Sequence, residues 1–171
     1  QAAGRQKKED HTRITAACKG TSGRICSGGE GNMRDEYISE LLSAVAAEVQ
    51  KKYCYMNEVH RLTKELGEGL SSDDKLVVQM VLEMRGKELE KVNGCDICIR
   101  RLVSSALEDI QKRLHGVLEG VVPSDAADEE EYAMWKQIAD TVQATKRVWK
   151  QTVETDRILS RRLAGSDSYY S

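Results

Sequence analysis

With 171 residues, 32% of them charged, 5% aromatic, one proline and no phenylalanine, the chain has room for one domain with a tail and too few aromatics for a compact α/β core. A net charge of -2 argues against a dedicated nucleic-acid binder, and five cysteines without secretory context argue against a disulfide framework. No stretch approaches the roughly 18 apolar residues that span a bilayer, so the expectation is a soluble, cytoplasmic protein.

Residues 1–32 carry six Lys/Arg against three acids, a balance of +3, which leaves 20 basic and 25 acidic residues, a balance of -5, in 33–171. This first segment is rich in Gly, Ser and Thr and shows no apolar period, so it is expected to be a disordered basic segment. Met33 stands directly before the first periodic stretch. Gly28-Gly29-Glu30-Gly31-Asn32 has purine-rich codons that can read as a bacterial ribosome-binding site. The expectation is that 1–32 is a mis-called N-terminal extension.

The first helix is predicted over Asp35–Leu66. One seam reads Ile38, Leu41, Val45, Glu48, Lys52, Tyr55, Val59, Leu62, Leu66, and a second reads Leu42, Val45, Val49, Lys52, Met56, Val59, Thr63, Leu66. Two overlapping seams make a face wide enough for two neighbours, as in a bundle. Gly67-Glu68-Gly69 is read as its end and Ser71-Ser72-Asp73-Asp74 as the cap of the next helix.

The second helix is predicted over Asp73–Val103 on the seam Val77, Val81, Met84, Glu88, Val92, Cys95, Ile99, Leu102, with Val78, Leu82, Leu89 and Val103 alongside. Gly86 and Gly94, each about 1 kcal/mol worse than alanine inside a helix, are read as bends or close backbone approaches. Ser104-Ser105 opens a short third helix with Leu107, Ile110, Leu114, Val117 and Leu118 on one face, closed by Gly120 and Pro123.

The last helix starts in the acidic run Asp128–Glu131 and carries apolar and small residues at spacings of 3 and 4. The series is Trp135, Ile138, Val142, Thr145, Trp149, Thr152, Asp156, Leu159, Leu163. Such spacing holds one narrow seam against a partner helix. Acids at the start and Arg157, Arg161 and Arg162 near the end suit the helix macrodipole, and Ala164-Gly165 is read as the stop. At about 1.5 Å per residue this helix runs roughly 60 Å, so it must lie along other long helices. The predicted fold is all-α: an elongated antiparallel bundle of three long helices plus one short helix over 33–164, with 165–171 as a flexible tail.

No constellation suggests an enzyme or a cofactor. Cys95-Asp96-Ile97-Cys98 could be a redox pair or half a zinc site, but it lies inside a periodic helix with no second pair, and Cys95 falls on the core seam. Trp135 and Trp149 are read first as core knobs. The competing role is that one lines a groove for an incoming helix, an ambiguity shared by Met56, Met80, Met84 and Met134.

From Met33 onward the order of elements resembles the FlgN-type flagellar export chaperones: a long helix, a polar turn, a second long helix carrying Met84-Arg85-Gly86-Lys87-Glu88-Leu89-Glu90-Lys91, a short helix and a long last one. Tyr37-Ile38-Ser39-Glu40-Leu41-Leu42 with Met56-Asn57-Glu58 is similar in style to the family's first helix. Trp135-Lys136-Gln137-Ile138 and Thr155-Asp156-Arg157-Ile158-Leu159 are similar to its last. The resemblance implies a cytosolic bacterial chaperone that covers the terminal amphipathic helix of hook–filament junction (hook-associated) proteins before type III export. It would do so in a helix-in-groove mode, with no metal and no membrane insertion. The contacts expected on that basis are Trp149, Leu159 and Leu163, with Tyr169 and Tyr170 on the tail. The alternative is a structural or signalling coiled-coil protein that self-associates through the 135–163 seam and has no cargo.

Overall fold

A computed structural model of the chain describes the backbone of residues 30–166 and the side chains of 33–162. The expectations for 1–29 and 167–171, Tyr169 and Tyr170 included, lie outside the described residues, as does the side chain of Leu163. Within them the chain is all-α: α1 (Glu30–Ser71), α2 (Lys75–Ser105), α3 (Glu108–Glu119) and α4 (Glu129–Ser166).

Both seams expected on α1 are packed. Ile38, Leu41, Leu42, Val45, Val49, Met56, Val59, Leu62 and Leu66 are all buried, because each row meets a different neighbour. Buried Thr63, Thr145 and Thr152 satisfy their hydroxyls by donating to the carbonyl four residues back, at 2.7–2.8 Å, which lets polar residues sit in an apolar seam.

Several boundaries differ from expectation. The helix α1 begins at Glu30, before Asp35, and continues through Gly67 and Gly69 to Ser71. Those glycines make room instead of ending the helix. A Cβ on Gly67 would stand 2.9 Å from Leu159 Cδ2, and one on Gly69 would stand 3.2 Å from Val78 Cγ2. The turn comes afterwards, where Asp73 takes a left-handed φ of 53° and Asp74 accepts from the Leu76 and Val77 amides at 3.2 and 3.1 Å. Ser104 and Ser105 belong to α2, and Gln111 of α3 reaches back to donate to the Ser104 and Ala106 carbonyls, satisfying helix-end acceptors. At the far end α4 runs through Ala164 and Gly165 to Ser166, since a glycine stops a helix only where the chain turns left-handed. Gly120 does so, with φ 98°, and closes α3. Gly86 and Gly94 mark no close approach: a Cβ on either would meet nothing within 4 Å.

Cross-contacts set the helix directions. Lys52 of α1 donates to Asp96 of α2 at 2.6 Å, while Gly69 adjoins Val77 and Val78, so α1 and α2 are antiparallel. His60 meets Thr152 and Gly67 meets Leu159, so α1 and α4 run the same way. Arg113 meets Glu131 and Glu119 meets Lys146, so α3 also runs with α4. A uniformly antiparallel bundle is therefore not what forms. The segment between Gly120 and Asp128 carries the chain back beside Arg113, which binds Asp125, and α4 starts down again in the direction α3 had taken.

One consequence governs the site. The core cluster at the start of α1 contains residues of all four helices, with Trp135, Leu42, Ile99 and the α3 residues Ile110, Leu114 and Val117 together. The clusters further down draw only on α1, α2 and α4: Met56, Val59 and Val148 in one, Leu62, Leu66, Val81 and Leu159 in the other. With 12 residues against 38 in α4, α3 is too short to reach them.

Candidate functional site: the groove below α3

The end of α3 is tied to α4. Gln143 Nε2 and Lys146 Nζ donate to the Glu119 carbonyl at 3.1 and 3.2 Å, and Lys146 also pairs with the Glu119 carboxylate. Gly120 then turns the chain away. Below this point the space between α2 and α4 is open, a groove of ≈ 640 Å³. Its lining is mainly apolar: Val49 and Met56 from α1, Leu89, Val92 and Ile99 from α2, Leu118 from α3, and Val142 and Trp149 from α4. Asn93, Asp96, Arg100, Lys52, Thr145 and Lys146 add polar groups.

The two tryptophans separate here. Trp135 is 0% exposed, and its indole Nε1–H donates at 2.8 Å to Glu131, itself buried. Glu131 also accepts from the Ala127 amide at 2.9 Å and from Arg113 at 3.2 Å, so one carboxylate joins α4, the preceding loop and α3. Trp149, on the same seam two heptads on, is 50% exposed. The expectation of a core knob fails for it, and Val148 takes the inward position beside Met56 and Val59. The physical reason is the missing fourth helix: a side chain on that flank of α4 has no neighbour once α3 has ended. Leu82, Leu89, Val153 and Ile158 are also substantially exposed in this half, as are Leu76, Met80 and Met84 on α2. Met56 is buried and Met134 half-buried.

The other expected contact moves inward. Leu159 is 6% exposed, packed over Gly67 with Leu62, Leu66 and Val81, so in the free chain it is core. It also lines a second hollow of ≈ 590 Å³ between α1 and the end of α4, whose other walls include Lys64, Glu68, Ser71, Ser72 and Arg162. Of the expected contacts with described side chains, only Trp149 is presented to solvent. Sequence reasoning missed the α2 wall of the groove, although Leu89, Asn93, Asp96 and Arg100 repeat at spacings of 3 and 4, as do Val142, Thr145 and Trp149 on α4. The length mismatch between α3 and α4 was the stronger signal.

Polar chemistry in this half is sparse. Lys52 and Asp96 pair across the floor, and Arg85 of α2 binds Asp156 of α4 through Nη2 while its buried Nε–H has no partner among the described residues. Thr152 Oγ1 spends its proton on Val148 O, so at 3.1 Å it accepts from His60 Nδ1. Burial and nearby Lys64 hold the His60 pKa below its ordinary value. Burial, reinforced by Glu48, pushes the Cys95 thiol up to about 11, away from a reactive thiolate. Cys54, Cys95 and Cys98 are free, and among the described residues no three His, Cys, Asp or Glu side chains gather into a metal site. No described helix is long and apolar enough to cross a membrane. What the arrangement offers is an apolar trough with a half-exposed indole, able to bury the stripe of a helix. No protein-family model, curated protein or solved structure matches the chain.

Proposed function

We propose that this protein is a helix-binding chaperone of the FlgN type, which masks the terminal amphipathic helix of a hook–filament junction protein in the bacterial cytoplasm before type III export. The observation that carries the reading is Trp149, a large aromatic left half-exposed above a trough of buried aliphatics where the fourth helix of the bundle stops short. An exposed apolar groove costs solubility unless it is occupied in use, and aromatic side chains are the usual anchors of helical partners. The resemblance of residues 33–171 to the export chaperones supplies the identity of the partner.

The test is calorimetric titration of synthetic terminal helices of hook-associated proteins against the full chain and its Trp149→Ala variant. Saturable binding, weakened at least tenfold (about 1.4 kcal/mol) by the substitution, is the expected result. Absence of binding to every such terminus ends the export reading. The alternative, a self-associating coiled-coil protein, rests on the 135–163 seam. Trp135, Ile138, Thr152 and Leu159 are already buried within the chain, so a homodimer would have to use the groove instead. Sedimentation showing a stable dimer that excludes added helices would favour it.

A further inference from the structure

The charge of the groove walls says which helices they accept. The charged side chains that line the groove are the cations of Lys52, Arg100 and Lys146 against the one carboxylate of Asp96. Residues 33–171 as a whole hold 20 basic against 25 acidic residues, so the groove lining runs against the balance of the chain around it. The groove below α3 is thus a locally basic site on an acidic chain. Arg100, at the α3 end of the groove, forms no ion pair among the described residues, and Lys150, beside Trp149, is exposed. In the upper half α3 fills the corresponding space, burying Ile110, Leu114 and Val117 completely, and where it meets the groove its last charged residue, Glu119, pairs with Lys146 of the groove lining, while Arg113 higher up pairs with Glu131.

Building on the groove reading above, we infer that the occupant is an acidic amphipathic helix, lying in line with α3 and carrying carboxylates along both edges of its apolar stripe. The α2 lining runs over residues 89–100, so at about 1.5 Å per residue the groove holds roughly 18 Å, or about three turns, of an occupant. Carboxylates on the occupant would face Arg100 and Lys150 and would select against basic helices, a role that edge charges serve better than they serve affinity.

Two synthetic 18-residue helical peptides test this, with one leucine stripe in common and glutamate flanks on one, lysine flanks on the other. Both are titrated into the full chain, its Arg100→Glu/Lys150→Glu variant and its Trp149→Ala variant. Both altered cations are exposed, and circular dichroism checks that helicity is kept. The glutamate peptide is expected to bind about tenfold more tightly, even though the overall negative charge of the chain favours the lysine one. The preference should collapse in the double variant and shrink at about 0.5 M salt. Equal binding, or a lysine preference, with both peptides still weakened by Trp149→Ala overturns the acidic occupant and leaves the groove reading standing. No binding of either peptide removes the groove as a helix site, and this inference with it.

Discussion

The two halves of the bundle differ in how completely they use their side chains. Around Trp135 four helices close the core, and the buried carboxylate of Glu131 finds an indole, a backbone amide and a guanidinium. In the half that holds Trp149, three helices leave one flank open, an indole half in solvent and, at Arg85, a buried guanidinium N–H with no partner among the described residues. The same residue type at equivalent points of one seam is structural in the first half and available in the second. A heptad seam guarantees a direction on the helix, and only a neighbour converts that direction into burial.

The sharpest way to break the comparison is to truncate both tryptophans. Trp135→Ala should cost about 3–5 kcal/mol in denaturant unfolding, because the cavity is enclosed on all sides, whereas Trp149→Ala should cost less than about 1 kcal/mol. Similar losses would mean that the lower half is as closed as the upper. Next in size is Glu131→Ala, which leaves the Trp135 Nε1–H and the Ala127 amide without an acceptor while Arg113 keeps Asp125. About 2–3 kcal/mol should be lost, against about 1 kcal/mol or less for Glu154→Ala in the lower half, whose pair with Arg157 is largely exposed. Equal penalties would erase the electrostatic difference between the halves.

Glycines sharpen the picture at smaller magnitude. Gly86→Ala should raise stability by up to about 1 kcal/mol, since the added methyl meets nothing and the helix gains propensity. Gly67→Ala should gain nothing or lose, because its methyl must displace Leu159 from the lower core. A melting temperature that rises equally in both variants would show that the contact over Gly67 is loose. The smallest effect is titration of His60. Its folded pKa lies below the ordinary 6.5, so the unfolded chain binds the proton more readily. The stabilisation is complete above about 6.5 and is lost as the pH falls toward the folded value. Wild type should lose more stability than His60→Gln between about pH 7.5 and about pH 5.5. A variant with the same acid sensitivity would remove His60 from the balance.

Much of the architecture was legible in the residues. The two interleaved rows on α1, from Ile38 to Leu66, required two neighbours, and both are there. Asp74 as a cap, Gly120 as a terminator and Cys95 as a core residue follow from local chemistry and are seen at those positions. The stop signals at Gly67–Gly69 and Ala164-Gly165 misled, because a glycine needed for clearance and one needed for a turn look alike in a sequence.

The candidate site was legible only in part. Trp149 stands out by type and spacing but its partners on α2 do not, and Leu159, an expected contact, is core because Gly67 leaves room for it on α1.

Periodicity, caps and charge order by themselves determined that the described chain is helical, roughly where its helices lie, and which stripe of each is apolar. These are local properties, written in spacings of 3 and 4. Tertiary structure alone decided that α4 runs alongside α1 in the same direction, that α3 covers only one end, and therefore which apolar side chain is core and which faces solvent. Burial is a property of pairs of surfaces, and a single stripe does not contain its own neighbour.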